Sequence, residues 1–113
     1  MRVIYSPQAV KELLDIVKYY DKNKPGLGAE FLRDLDRQIN LCTSEPEIGM
    51  QVDQVYRRLV MKRFPFNIIY RILRDEIRVI AVAHQNRKPG YWMSEFGNTE
   101  INEPKVMYAS AGN

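Results

Sequence analysis

The chain has 113 residues, 45% hydrophobic and 27% charged, with a formal net charge of +3; this is the composition of one soluble globular domain with a modest core, not of a disordered segment. One cysteine (Cys42) and one histidine (His84) exclude an internal disulfide and a zinc site built from those ligands. No run approaches the roughly 20 apolar residues of a membrane span, and "MRVIYSPQAV" lacks the apolar core of a secretory signal. A reducing, cytoplasmic setting with no metal or cofactor is therefore expected.

In chain order, "RVIY" is a short strand. Ser6 followed by Pro7 gives a capping residue and the proline favoured at the first helical position. Val10, Leu13, Leu14, Val17 and Tyr20, with Ile16 beside them, follow the three-four spacing of an amphipathic helix, and Lys11, Glu12, Asp15 and Lys18 face water. "NKPGLG" ends that helix. Leu27, Phe31, Leu32, Leu35, Ile39 and Cys42 then form the stripe of a second one, opposite a charged face of Glu30, Arg33, Asp34, Asp36 and Arg37. Two one-sided helices with a short break form an antiparallel hairpin that must cover something. "SEPEIGMQVDQ" reads as a loop, after which "VYRRLVMKRF", "FNIIYRIL" and "IRVIAVAH" read as strands joined by the tight turns "FPF" and "RDE". The class is α+β in two layers, β-α-α-β-β-β, with a helical hairpin on a mainly antiparallel four-stranded sheet.

Alternation along the strands assigns the faces. Leu59, Met61, Phe66, Ile68, Tyr70, Ile72, Ile77, Val79, Ala81 and Ala83 are expected under the helices. The other face then shows Arg58, Val60 and Lys62, then Asn67, Ile69 and Arg71, then Arg78, Ile80, Val82 and His84. That face has an apolar centre ringed by cations, so a partner or the chain's own tail is expected to cover it. Charge is unevenly spread: residues 56–92 carry nine Lys/Arg and two Asp/Glu, a net of +7, between segments of −2 on either side. Such a segment is either a surface for an anionic partner or a solvated basic face.

"AVAHQNRKPGYW" gathers the rarest side chains at one strand exit. His84 is either a general acid/base or the end of a strand bonded to a neighbouring loop. Arg87 and Lys88 either bind an anion or form a solvated turn. Tyr91 and Trp92 either stack on bases or, for Trp92, close one end of the core. Arg71, a cation amid apolar neighbours, calls for a carboxylate partner, internal or external.

The blocks "YSPQAVKELLDIVKYY", "GAEFLRDLDRQINLCTSEPEIG", "RRLVMKRFPFNIIYRI" and "IRVIAVAHQNRKPGYW" together resemble a RelE/ParE-superfamily toxin of type II toxin–antitoxin modules over residues 2–92. The resemblance implies the helical hairpin on a sheet and a cognate antitoxin as partner, with DNA gyrase (ParE-like) or the ribosome and its mRNA (RelE-like) as target. RelE-like cleavage uses strand cations, a late arginine and a tyrosine; Arg58 matches the first cation, whereas Val60 and Asn67 stand where two more are expected. Arg87 and Tyr91 match the arginine and tyrosine with altered spacing, and His84 completes the set if the chain is a ribonuclease. "FPFNIIYR" and "AVAHQNRKPGYW" resemble the ParE-like branch more. Target or antitoxin binding is thus expected at Arg58, Lys62, Asn67, Arg71, Arg78, His84, Arg87 and Lys88. A non-toxic, antitoxin-binding relative is the third reading, and a homodimer fits any of them. Residues 1–92 form the domain; 93–113 form a tail with enough apolar residues to dock on the sheet or a partner.

Overall fold

The computed structural model describes residues 1–87 and 90–92 of the chain. Strand β1 (Arg2–Tyr5) leads into helices α1 (Pro7–Asn23) and α2 (Leu27–Ser44). A single 3₁₀ turn (Pro46–Ile48) then precedes β2 (Met50–Gln51), β3 (Arg57–Val60), β4 (Phe66–Leu73) and β5 (Glu76–His84). The sheet has five strands in the order β1-β5-β4-β3-β2, antiparallel except that β1 runs parallel to β5. The α+β, two-layer expectation holds, with one strand more than four. The additional strand lies inside the expected loop, where Met50 and Gln51 pair with Arg58 and Arg57; a two-residue pairing is too short to leave an alternation signal.

Ser6 does what its position before Pro7 suggests. Its Oγ accepts from Ala9 N at 3.0 Å and donates to Ile80 O at 2.7 Å, tying the start of α1 to β5. The inward stripe of α1 is rotated from the expected one. Ala9 and Ile16 are buried, whereas Leu14 is 58% exposed. At the start of α2, Gly28 lies so close to α1 that an added Cβ would meet Val17 Cγ1 at 2.8 Å. Asp21 accepts from Gly28 N at 2.9 Å and caps α2 from the neighbouring helix, which Gly26 has no side chain to do. Asp34, expected on the charged outer face, is instead buried and bridged to Arg37 and Arg63.

The main core lies between helices and sheet and includes Phe31, Leu35, Ile39, Cys42, Phe66, Ile68, Tyr70, Ile77 and Val79. A second cluster (Ile69, Ile80, Ala81, Ala83, Tyr91 and Trp92, with Tyr56 against it) lies on the open face. Its membership corrects the assignment of β5. Ile69 pairs with Ala81 but Tyr70 with Val79, so Ile80 is an extra residue, a β-bulge. Beyond it the alternation inverts: Ala81 and Ala83 lie on the open face and Val82 joins the main core. Trp92 is likewise placed differently from the expectation, since it covers the open face and does not close the end of the main core. The expected tail, 93–113, lies outside the described residues.

Candidate functional site on the open face of the sheet

Three local structures build the site. The loop after α2 is pinned from below by Tyr70, whose hydroxyl donates to Pro46 O at 2.7 Å and accepts from Gly49 N at 2.9 Å. Arg57 Nη1 adds bonds to Glu47 O at 3.0 Å and Gly49 O at 2.7 Å. Burial pushes the Tyr70 phenol up to about 12 and the neighbouring Cys42 thiol up to about 11. With the loop fixed, Met50 sits across from Arg58 and accepts from Arg58 Nη2 on its sulfur at 3.5 Å.

The second structure is the β2–β3 turn. Asp53 Oδ1 accepts from Val55 N and Tyr56 N, both at 2.7 Å, an Asx-type turn. It sets the Tyr56 ring edge-on to Trp92, centroids 6.3 Å apart.

The third is the clasp that seats Tyr91 and Trp92. Because β1 stops at Tyr5, β5 has no strand partner on its outer edge beyond Val79, and past the Ser6 bond to Ile80 O that edge is open. Glu12 of α1 fills the gap: its Oε1 accepts from Val82 N at 2.7 Å, and its Oε2 accepts from the Tyr91 hydroxyl and from Gln8 Nε2. The Arg87 guanidinium lies 3.7 Å from the centre of the Tyr91 ring. Glu12 was expected to face water. It turns inward because a bare strand edge offers it a donor, and no helical periodicity carries that information.

Together these structures enclose a cavity of about 280 Å³. Arg58 and Asn67 line its base, Ile69 and Ala83 its apolar floor, and Tyr91 and Trp92 one wall. Asp53, His84 and Arg87 also border it. Of the sequence-predicted residues, Arg58, Asn67, His84, Arg87 and Tyr91 therefore meet around one space. The His84 ring, however, is on the helix side of the sheet, edge-on to Phe66 at 5.2 Å, and its Nδ1 accepts from Asn86 N at 3.0 Å. Its expected place on the open face is inverted by the same bulge.

Arg71 and Arg78 face each other across β4 and β5 at the far end of the open face. Arg78 is bonded to Glu76 through Nε at 2.9 Å and Nη2 at 2.8 Å, and Arg2 shares that carboxylate at 3.2 Å. Lys62 does not join the group. β3 ends at Val60, so Lys62 falls on the connection to β4, where it borders a separate cleft of about 560 Å³ with Asp34, Arg37 and Arg63. Lys88 lies outside the described residues. Among the described residues, no group of three His, Cys, Asp or Glu side chains is placed to hold a metal ion. No helix there is long and apolar enough to cross a membrane.

The described residues thus form a two-layer α+β domain with a basic, partly apolar open sheet face. Residues 3–89 match the ParE toxin of type II toxin–antitoxin system, parDE, and the chain belongs to that family. Among solved structures, it is similar to one described as the chromosomal ParDE TA system from P. aeruginosa, with 19% identity and a TM-score of 0.65. That likeness covers 74% of this chain and 95% of the other, and at this identity it speaks for the fold. No curated protein matches the chain.

Proposed function

We propose that this chain acts as a ParE-like toxin that inhibits DNA gyrase and is neutralised by a cognate antitoxin. Membership of the ParE toxin family over residues 3–89 carries the reading, and the chemistry of the site supports a recognition surface over a hydrolytic one. Metal-free RNA cleavage needs a base for the 2′-hydroxyl, an acid for the leaving oxygen and cations for the phosphorane, all within reach of one phosphate. Here the Tyr91 hydroxyl is committed to Glu12, and the His84 ring turns toward Phe66. The resemblance implies strand cations at positions 60 and 67 for a RelE-like enzyme, and this chain has the uncharged Val60 and Asn67 there.

Purified protein added to gyrase with relaxed plasmid is expected to block supercoiling, while primer extension on mRNA from a translating extract shows no new ends. Codon-spaced cuts with gyrase unaffected would establish the ribonuclease instead, and silence in both would leave an antitoxin-binding relative. Arg58→Ala, which removes the cation at the base of the cavity, is expected to abolish growth arrest on induction; undiminished arrest would remove this face from the functional surface.

A further inference from the structure

The cavity on the open face holds polar atoms that the described residues leave without partners. Arg58 Nε, Asn67 Oδ1 and Trp92 Nε1 are each buried with no hydrogen-bond partner among the described residues, and all three residues line the same space. Trp92 is only 6% exposed, so its indole N–H cannot turn out to bulk water. Arg58 fares little better: its Nη2 is bonded to the Met50 sulfur at 3.5 Å, a thioether and hence a weak acceptor. No carboxylate of the described residues pairs with Arg58. Buried donors in native proteins are almost always satisfied, and a half-buried guanidinium calls for an anion.

We propose that this cavity is a receptor site for the carboxylate of an acidic residue presented by a segment of a partner protein. The carboxylate oxygens accept from the Arg58 fork and from the Trp92 indole N–H, and a backbone N–H of the segment donates to Asn67 Oδ1. This occupant uses all three orphaned atoms with donors and acceptors in the right sense. It also fits the charge of the region, +7 over residues 56–92. A phosphate fits less well. It has no N–H for Asn67, and it would bring a second negative charge toward Asp53, which borders the same cavity. A planar carboxylate instead matches the bidentate geometry of guanidinium. The chemistry of the cavity is independent of which macromolecule the toxin poisons, so a failed gyrase assay leaves it standing.

Trp92 is the only tryptophan, so its indole N–H gives a single unambiguous cross-peak in a ¹⁵N correlation spectrum of the full chain. Titration with a capped Ala-Glu-Ala peptide is expected to move that peak saturably. The isosteric Ala-Gln-Ala peptide should bind at least tenfold more weakly, and Arg58→Met should abolish the shift. If Arg58→Met does not fold, Arg58→Lys, which keeps the charge but loses Nε, should weaken binding at least fivefold. A peak that stays still, that moves equally with both peptides, or that responds to inorganic phosphate and not to the glutamate peptide overturns the assignment.

Discussion

Glu12→Ala tests the clasp on which the whole open-face site depends. The substitution removes the acceptor of Val82 N–H, a buried position at the bare edge of β5, together with that of the Tyr91 hydroxyl. An orphaned buried donor costs about 1–3 kcal/mol, and a hydrogen bond to a charged acceptor contributes about 1.5–3 kcal/mol net. The two terms overlap, because the freed Tyr91 hydroxyl can reach water once its segment loosens, so a loss of about 3 kcal/mol is expected. For a domain of this size that corresponds to a fall in Tm of about 12 °C. Glu12→Gln keeps an acceptor at the same place and should cost about 1 kcal/mol. Urea denaturation followed by circular dichroism reads the global loss, and Trp92 emission reads the local one, shifting to the red as the plug becomes wet. A double-mutant cycle with Tyr91→Phe should return a coupling of about 1–2 kcal/mol. Glu12→Ala within about 0.5 kcal/mol of the parent, with Trp92 emission unchanged, would refute the idea that α1 clamps the C-terminal plug.

Two further outcomes test the support beneath the site. Gly49→Ala would place a Cβ 2.7 Å from the Tyr70 hydroxyl and 2.9 Å from Tyr70 Cε1; the overpacking should cost about 1–3 kcal/mol in denaturant, and a neutral result would show that the loop can shift away from Tyr70. Alkaline titration should destabilise the fold. Burial raises Cys42 to about 11 and Tyr5 and Tyr70 to about 12. The unfolded chain therefore gives up these protons first: stability is full below pH 9 and is lost as pH rises through about 11 and then 12. Tyr70→Phe should flatten the upper part of that decline, at the cost of the bonds to Pro46 and Gly49.

Local rules were strong wherever one element could declare itself. Ser6-Pro7 starts α1, the Pro-Gly pair ends it, and "FNIIYRIL" is β4 residue for residue. The inward set of β4 also follows simple alternation, since Phe66, Ile68, Tyr70 and Ile72 all belong to the main core. The open face could be foreseen as apolar with a cationic rim and in need of a cover, and Arg58, Asn67, Arg87 and Tyr91 do meet there. The failures share one feature: each depended on a neighbour in space. Lys62 was placed with Arg58 because the apolar-cationic pattern continues past Val60, yet the strand stops where its partner β4 begins at Phe66. Glu12 looked like a solvent-facing helical carboxylate until the end of β1 left a donor for it on β5.

The sequence alone determined the class of fold, the order of its elements and the asymmetry of its charge, because periodicity, capping and turn residues act within one element. The tertiary structure decided which side of β5 faces which layer. One extra residue, Ile80, inverts every later position, and a bulge exists only relative to the strand it fails to match. It thereby sent Val82 to the core, moved Ala81 and Ala83 to the open face, and set the His84 ring against Phe66 at the rim of the cavity.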